Sequence, residues 1–283
     1  MNSGAANLRG AVLVVLAMAC FCVNDAFIKT LSTRVPVGQL MAVRGVFAVA
    51  LLLVLLPRLG LRIGRPERFT WLRAAGEYAV TFAFLLALAR LPIGDTYTLY
   101  FAGPLLLTAG AALFLGERVG PRRWAAVLVG FLGVLVVLDL PQQWQAASLI
   151  ALTAAFLSVA RDLTTRWIPP AVGSGTVAAL TSVCVALSGL ATVLGGNWVS
   201  LAWSDIGLCA LAAFGVAGGY TAFVIALRTG ELSYVATFRY AGIPMAMLLG
   251  LAVWGDVPNL RMLAGAALIM GAGLAIVWQE RAR

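Results

Sequence analysis

The sequence contains no histidine in its 283 residues, and only 11% of them are charged. The first absence excludes Ser-His-Asp triads, histidine zinc sites and histidine proton relays. The second is incompatible with an ordinary soluble surface, where roughly 25% charge is usual. No P-loop pattern occurs, which argues against a nucleotide-driven pump. Cysteine is sparse too. Cys20, Cys22, Cys184 and Cys209 lie within apolar runs, make no zinc pattern or obvious disulfide pair, and read as small apolar fillers.

What is present is apolar: 62% of the residues are hydrophobic. A helix needs roughly 20 apolar residues to cross the hydrocarbon core. That rule predicts an all-α polytopic membrane protein with ten transmembrane helices at 8–31, 36–56, 71–90, 93–115, 123–138, 147–167, 173–194, 205–227, 232–254 and 260–278. The first run is longer than the roughly 7–15-residue core of a cleavable signal and reads as a retained helix. The connectors are short, so no separate soluble domain is expected.

The net charge of +9 does not indicate nucleic acid, because the arginines sit between apolar runs and not on one basic face. Arg58, Arg62, Arg65 and Arg68 follow the second span, Arg118, Arg122 and Arg123 the fourth, and Arg281 and Arg283 the last. The alternate connectors are poorer. By the positive-inside rule both termini are expected in the cytoplasm, in a multi-pass protein of the inner (plasma) membrane.

The chain also repeats itself. Ala102-Gly103 followed by Gly116-Glu117 matches Ala241-Gly242 followed by Gly255-Asp256, and the same offset relates Thr98 to Thr237. Asp25 and Lys29 stand four apart in the first span, as do Asp162 and Arg166 in the sixth. Together these suggest five-helix repeats at 1–140 and 141–283 within one integrated membrane domain. Five is odd, so the halves enter the membrane from opposite sides, an inverted-topology repeat of the kind found in secondary transporters.

With its length, its five-plus-five halves, the Gly116-Glu117-Arg118 turn and the weaker copy at Gly255-Asp256, the chain resembles the drug/metabolite transporter superfamily in its ten-helix EamA form. Within that family it is similar to the YddG-type aromatic amino-acid exporters. The resemblance implies a substrate cavity between the halves, lined mainly by the first four helices of each, with the fifth and tenth peripheral.

Ionisable groups inside a membrane are costly and usually face a cavity or a partner. Arg239 reads either as a cation receiving a substrate carboxylate through paired N–H donors, or as an arginine that snorkels or pairs with Glu77. Arg44 has the same two readings, with Asp25 as the structural partner. Glu77 could carry a proton or close an ion pair. Asp25–Lys29 and Asp162–Arg166 read as structural i,i+4 pairs. Asn24 is a pathway hydrogen-bonding group or a helix bridge. Tyr97, Tyr100 and Phe101 in the fourth helix match Phe238 and Tyr240 in the ninth, and Tyr78 shares a face with Phe82. Such rings could stack on a flat substrate, pack helices, or form an interfacial belt. Gly103, Pro104, Gly242 and Pro244 interrupt corresponding helices and are candidate hinges.

These readings converge on a secondary transporter exporting small organic metabolites, amino acids and aromatic ones in particular, by alternating access. A membrane channel, or a carrier of nucleotide-like or cationic compounds, is the alternative. Neither an enzyme nor a cofactor or metal site is expected. The expected partners are a small-molecule substrate and the lipid bilayer, in a monomer or a homodimer.

Overall fold

A computed structural model describes residues 3–58, 60, 63–114, 120–138, 146–165, 167–169, 171–229 and 238–281. Among them no strand occurs, and the helices are α1 (Ser3–Leu31), α2 (Val37–Arg58), α3 (Arg68–Leu88), α4 (Ile93–Tyr100), α5 (Gly103–Phe114) and α6 (Pro121–Val137). The second set is α7 (Ala146–Thr165), α8 (Ser174–Ala191), α9 (Trp203–Thr229), α10 (Gly242–Trp254) and α11 (Leu260–Arg281), with 3₁₀ turns at Thr192–Gly195 and Phe238–Ala241. The fold is the expected ten-span helical membrane protein, with α4 and α5 as the two halves of the fourth span. The Gly116-Glu117-Arg118 turn lies outside the described residues.

Local chemistry sets several helix ends. Glu67 and Thr70 form a capping box at the start of α3. Gly120 followed by Pro121 opens α6, where a missing N–H costs nothing because the first turn has no acceptor for it. Gly255, at φ +72°, closes α10 in the left-handed conformation. Its N–H donates to the Leu251 carbonyl and that of Asp256 to Gly250, which satisfies carbonyls the helix leaves open.

The fourth span is broken at Phe101-Ala102, and the ninth enters α10 from a 3₁₀ turn. Pro104 and Pro244 both lie in the first turn of the helix that follows. There the proline ring restarts a helix and does not kink one.

The halves interlock. α1 packs on α9, α2 on α8, α3 on α7, α4 on α10 and α6 on α11, while α1 also meets α10 and α7 also meets α4 and α5. Apolar side chains such as Leu128 (62% exposed) and Leu248 (67%) point outward, as lipid requires. Between helices, where lipid supplies no hydrophobic drive, small residues bring backbones together. A Cβ on Gly215 would lie 2.9 Å from the Cys20 carbonyl oxygen, and one on Gly219 3.1 Å from that of Ala17. Gly133 and Gly265 hold α6 against α11 in the same way. This gives Gly130 and Gly133 a place in a contact within the chain.

The closest crossing is that of α2 with α8. A methyl at Gly189 would sit 2.5 Å from the Ala42 amide nitrogen, and one at Gly45 2.8 Å from the Ala186 Cα. Both obstacles are backbone, so Gly189→Val must push the helices apart. Overpacking of this kind typically costs about 1–3 kcal/mol. The expected result is a lower detergent melting temperature together with loss of flux; a variant that melts and transports like the parent would show that the crossing is looser than this.

Candidate functional site

The spans alternate direction, so the molecule has an end with arginine-rich connectors and an arginine-poor end. At the arginine-poor end Arg34 is ion-paired with Asp205. The Gln39 amide clamps Val199 by donating to its carbonyl at 2.7 Å and accepting from its N–H at 3.0 Å. Lys29 donates to the carbonyls of Leu88 and Leu91 beyond the C-terminus of α3, and lies over the Trp254 ring. Lys29 is therefore spent on helix-end acceptors, and the expected Asp25–Lys29 pair does not form.

Toward the arginine-rich end, α2, α3, α8 and α9 separate around a cavity of about 150 Å³. Arg44, Arg73, Glu77, Thr181, Ser182 and Tyr220 supply its polar lining, and Gly45, Ala48 and Ala178 leave room beside them. Of the expected pathway residues, Arg44 and Glu77 face this cavity.

Glu77 is the acceptor of a half-buried network. Arg161 on α7 reaches both its carboxylate oxygens, at 2.9 and 3.0 Å, and Arg73 one turn earlier lies 3.6 Å away. Arg161 also pairs with Asp162 at 2.8 Å, and Arg73 donates to Thr165 and Thr181. Two expectations change here. Glu77 pairs with Arg161 and Arg73 and not with Arg239. Asp162 pairs with its neighbour Arg161, while Arg166 lies outside the described residues. Arg161 is absent from the residues expected from sequence, although it obeys the same rule as the others: a charge inside an apolar span.

Arg44 is placed differently. Its Nη1 donates to the Asn24 side-chain oxygen at 3.3 Å, and among the described residues no carboxylate lies within ion-pair distance of it. The expected Arg44–Asp25 pair is therefore indirect. Asn24 donates to Asp25 at 2.6 Å, and the Tyr97 hydroxyl donates to the other carboxylate oxygen at 2.6 Å. Asn24 and Asp25 are both buried, under Gly215 of α9.

The aromatic residues form a continuous group. Tyr97 stacks on Phe101 at 5.8 Å, Phe84 meets Tyr97 and Tyr100 edge-on, and Phe101 contacts Tyr240 across the halves at 6.1 Å. Tyr78 and Phe82 pair at 6.0 Å on α3, and Phe238 packs half-buried at the start of its 3₁₀ turn. None of these rings lines the cavity described above; the aromatic residue that does is Tyr220. Arg239 lies over the Phe223 ring at 5.4 Å, and its buried Nε has no hydrogen-bond partner among the described residues. Gly103 lies against the Ser158 hydroxyl and Gly242 against Phe101, so both helix breaks face the other half.

Comparison with known proteins bears on this arrangement. Residues 8–139 match the EamA-like transporter family. That match, with the relatives below, supports the drug/metabolite transporter superfamily. The chain is 29% identical to a riboflavin transporter of Rhizobium johnstonii, over 97% of this chain and 92% of that one. It is 27% identical to the pseudopaline exporter CntI of Pseudomonas aeruginosa, over 94% and 95%. An S-adenosylmethionine uptake transporter of Rickettsia prowazekii is 23% identical over 97% and 94%. A solved crystal structure at 21% identity shares the fold, with a TM-score of 0.69 and 99% of each chain covered. The protein is thus an integral membrane secondary transporter of small metabolites, not an enzyme.

Proposed function

We propose that this EamA-type carrier exports small carboxylate-bearing metabolites, amino acids first and aromatic ones in particular, by alternating access around the cavity between α2, α3, α8 and α9. One observation carries the substrate class. Arg44 presents a guanidinium to the cavity with only a neutral hydrogen-bond partner, whereas the charge of Glu77 is already taken by Arg161 and Arg73. A guanidinium in low dielectric favours a bidentate carboxylate. The aromatic group from Phe84 to Tyr240 supports an aromatic side chain, through rings that stack on a flat substrate once the halves rearrange.

Residues 1–140 and 141–283 act as inverted repeats. The pairing of spans supports this: exchanging each span of one half for its counterpart in the other turns α1–α9 into α7–α3 and leaves α2–α8, α4–α10 and α6–α11 unchanged. Phe101 and Tyr240, equivalent by the sequence offset, meet at that pseudo-axis. Gly103, Pro104, Gly242 and Pro244 serve as the hinges. The arginine-rich end faces the cytoplasm of an inner membrane, with both termini there; on this reading the cavity opens inward, and Arg34–Asp205 and Gln39–Val199 close the outer side.

The test is efflux from liposomes containing the purified protein. Labelled aromatic amino acids come first, with riboflavin and S-adenosylmethionine in the same panel because relatives are named for them. Saturable amino-acid efflux supports the reading; saturable flux of another compound alone removes the substrate class and leaves the carrier. Arg239→Ala is expected to lower flux at equal membrane content, by less than Arg44→Ala, because its unpartnered Nε is a second donor at the helix break. Unchanged flux would assign Arg239 to packing on Phe223.

A further inference from the structure

Asp25 is 7% exposed, within a membrane span, and both its carboxylate oxygens accept from neutral donors, Asn24 and Tyr97. An ionised carboxylate is costly in such a place. Its surroundings are otherwise poor in charge. On its own helix Lys29 is turned to the carbonyls of Leu88 and Leu91, and Cys22 to the Gly242 carbonyl. Tyr97 faces it from α4. From α2 comes Arg44, which itself senses Cys209 of α9 and Glu77 of α3. Arg44 is the cation whose charge reaches Asp25, and it does so through one residue, Asn24. The same guanidinium lines the cavity. A chain of hydrogen-bonding groups therefore runs from the cavity through Arg44, Asn24 and Asp25 to Tyr97, just before the break between α4 and α5.

We propose that Asp25 binds the proton that crosses with a carboxylate substrate, and that Asn24 links its charge state to Arg44. This rests on Arg44 as the substrate's receptor. Ionised Asp25 competes with the substrate carboxylate for Arg44. Protonated Asp25 does not, and the guanidinium is left to the cavity. By reciprocity, a carboxylate on Arg44 draws a proton onto Asp25. The two move together as symport. Substrate leaving down its own gradient carries a proton out, and an acidic exterior opposes export and drives uptake.

Two measurements on the purified full-length protein test this. In potential-clamped liposomes with a trapped pH dye, L-phenylalanine efflux is expected to move protons with it. A gradient of one pH unit is then expected to support up to about ten-fold accumulation, the ratio one proton carries. Asp25→Asn reduces that accumulation to about one-fold while exchange of labelled for unlabelled probe stays measurable. The second measurement needs no transported compound. Infrared difference spectra between about pH 5 and about pH 9 are expected to show a carboxylic C=O band that Asp25→Asn removes and Tyr97→Phe shifts, through the lost hydrogen bond. Flux without proton movement overturns the proposal, and so does a band that both variants leave unchanged. If L-phenylalanine is not transported, the infrared band alone decides Asp25, and the amino-acid reading fails separately.

Discussion

Arg44→Ala is expected to lower the transport efficiency of a carboxylate substrate about ten- to a hundred-fold at equal membrane content. A hydrogen bond to a charged group contributes about 1.5–3 kcal/mol, and each 1.4 kcal/mol is about a factor of ten. Arg44 is half-buried, lines the cavity and, among the described residues, donates to Asn24 and forms no ion pair, so less of the protein's own structure depends on its charge. The melting temperature should therefore change far less than the flux. Arg44→Lys retains the charge but not the planar fork, and an intermediate rate is expected. Concentration-dependent uptake and efflux in proteoliposomes measure both. Parental rates in Arg44→Ala would remove Arg44 from the pathway and with it the carboxylate reading.

The second large effect is on stability. Removing Glu77 or Arg161 alone leaves a half-buried charge short of its partner, a loss of at most about 3–5 kcal/mol, the figure for fully buried pairs. Arg73 and Asp162 remain as secondary partners, which places the expected loss toward the lower figure. Replacing both by leucine removes both charges at once, and the double variant should melt closer to the parent than either single one. Thermal melts of the four proteins in one detergent give the coupling directly. If Glu77 were instead a proton carrier, Glu77→Gln would stop transport and leave the melt unchanged, the opposite pattern.

These two residues illustrate how far the sequence could be read. Arg44 and Glu77 were both conspicuous as charges within apolar spans, yet the sequence offered each the wrong partner. Arg44 seemed set for Asp25, and Glu77 for Arg239. In the fold, Asn24 stands between the first two. The sixth span, α7, brings Arg161, and not Asp162 or Arg166, to Glu77. The i,i+4 pairs failed for a related reason. Spacing places two side chains on one helix face, but a neighbouring helix can offer better partners. For Lys29 these were the carbonyls beyond the end of α3, and for Asp25 they were Tyr97 and Asn24. The stacked Tyr97–Phe101 and the Tyr78–Phe82 pair were legible because four-residue spacing puts both members of each on one face of a span.

By itself the sequence determined the ten spans and the helical class. A bilayer permits few solutions: each backbone polar group must be satisfied within its own segment, so a run of apolar residues of the right length becomes a helix whatever surrounds it. Breaks at Phe101-Ala102 and before Gly242 were foreshadowed by glycine and proline for the same local reason. Only the tertiary structure decided where the cavity lies and which charges face it. Those depend on how each helix is rotated about its axis, and the rotation is set by backbone approaches at Gly45, Gly189, Gly215 and Gly219 to helices far away in the chain.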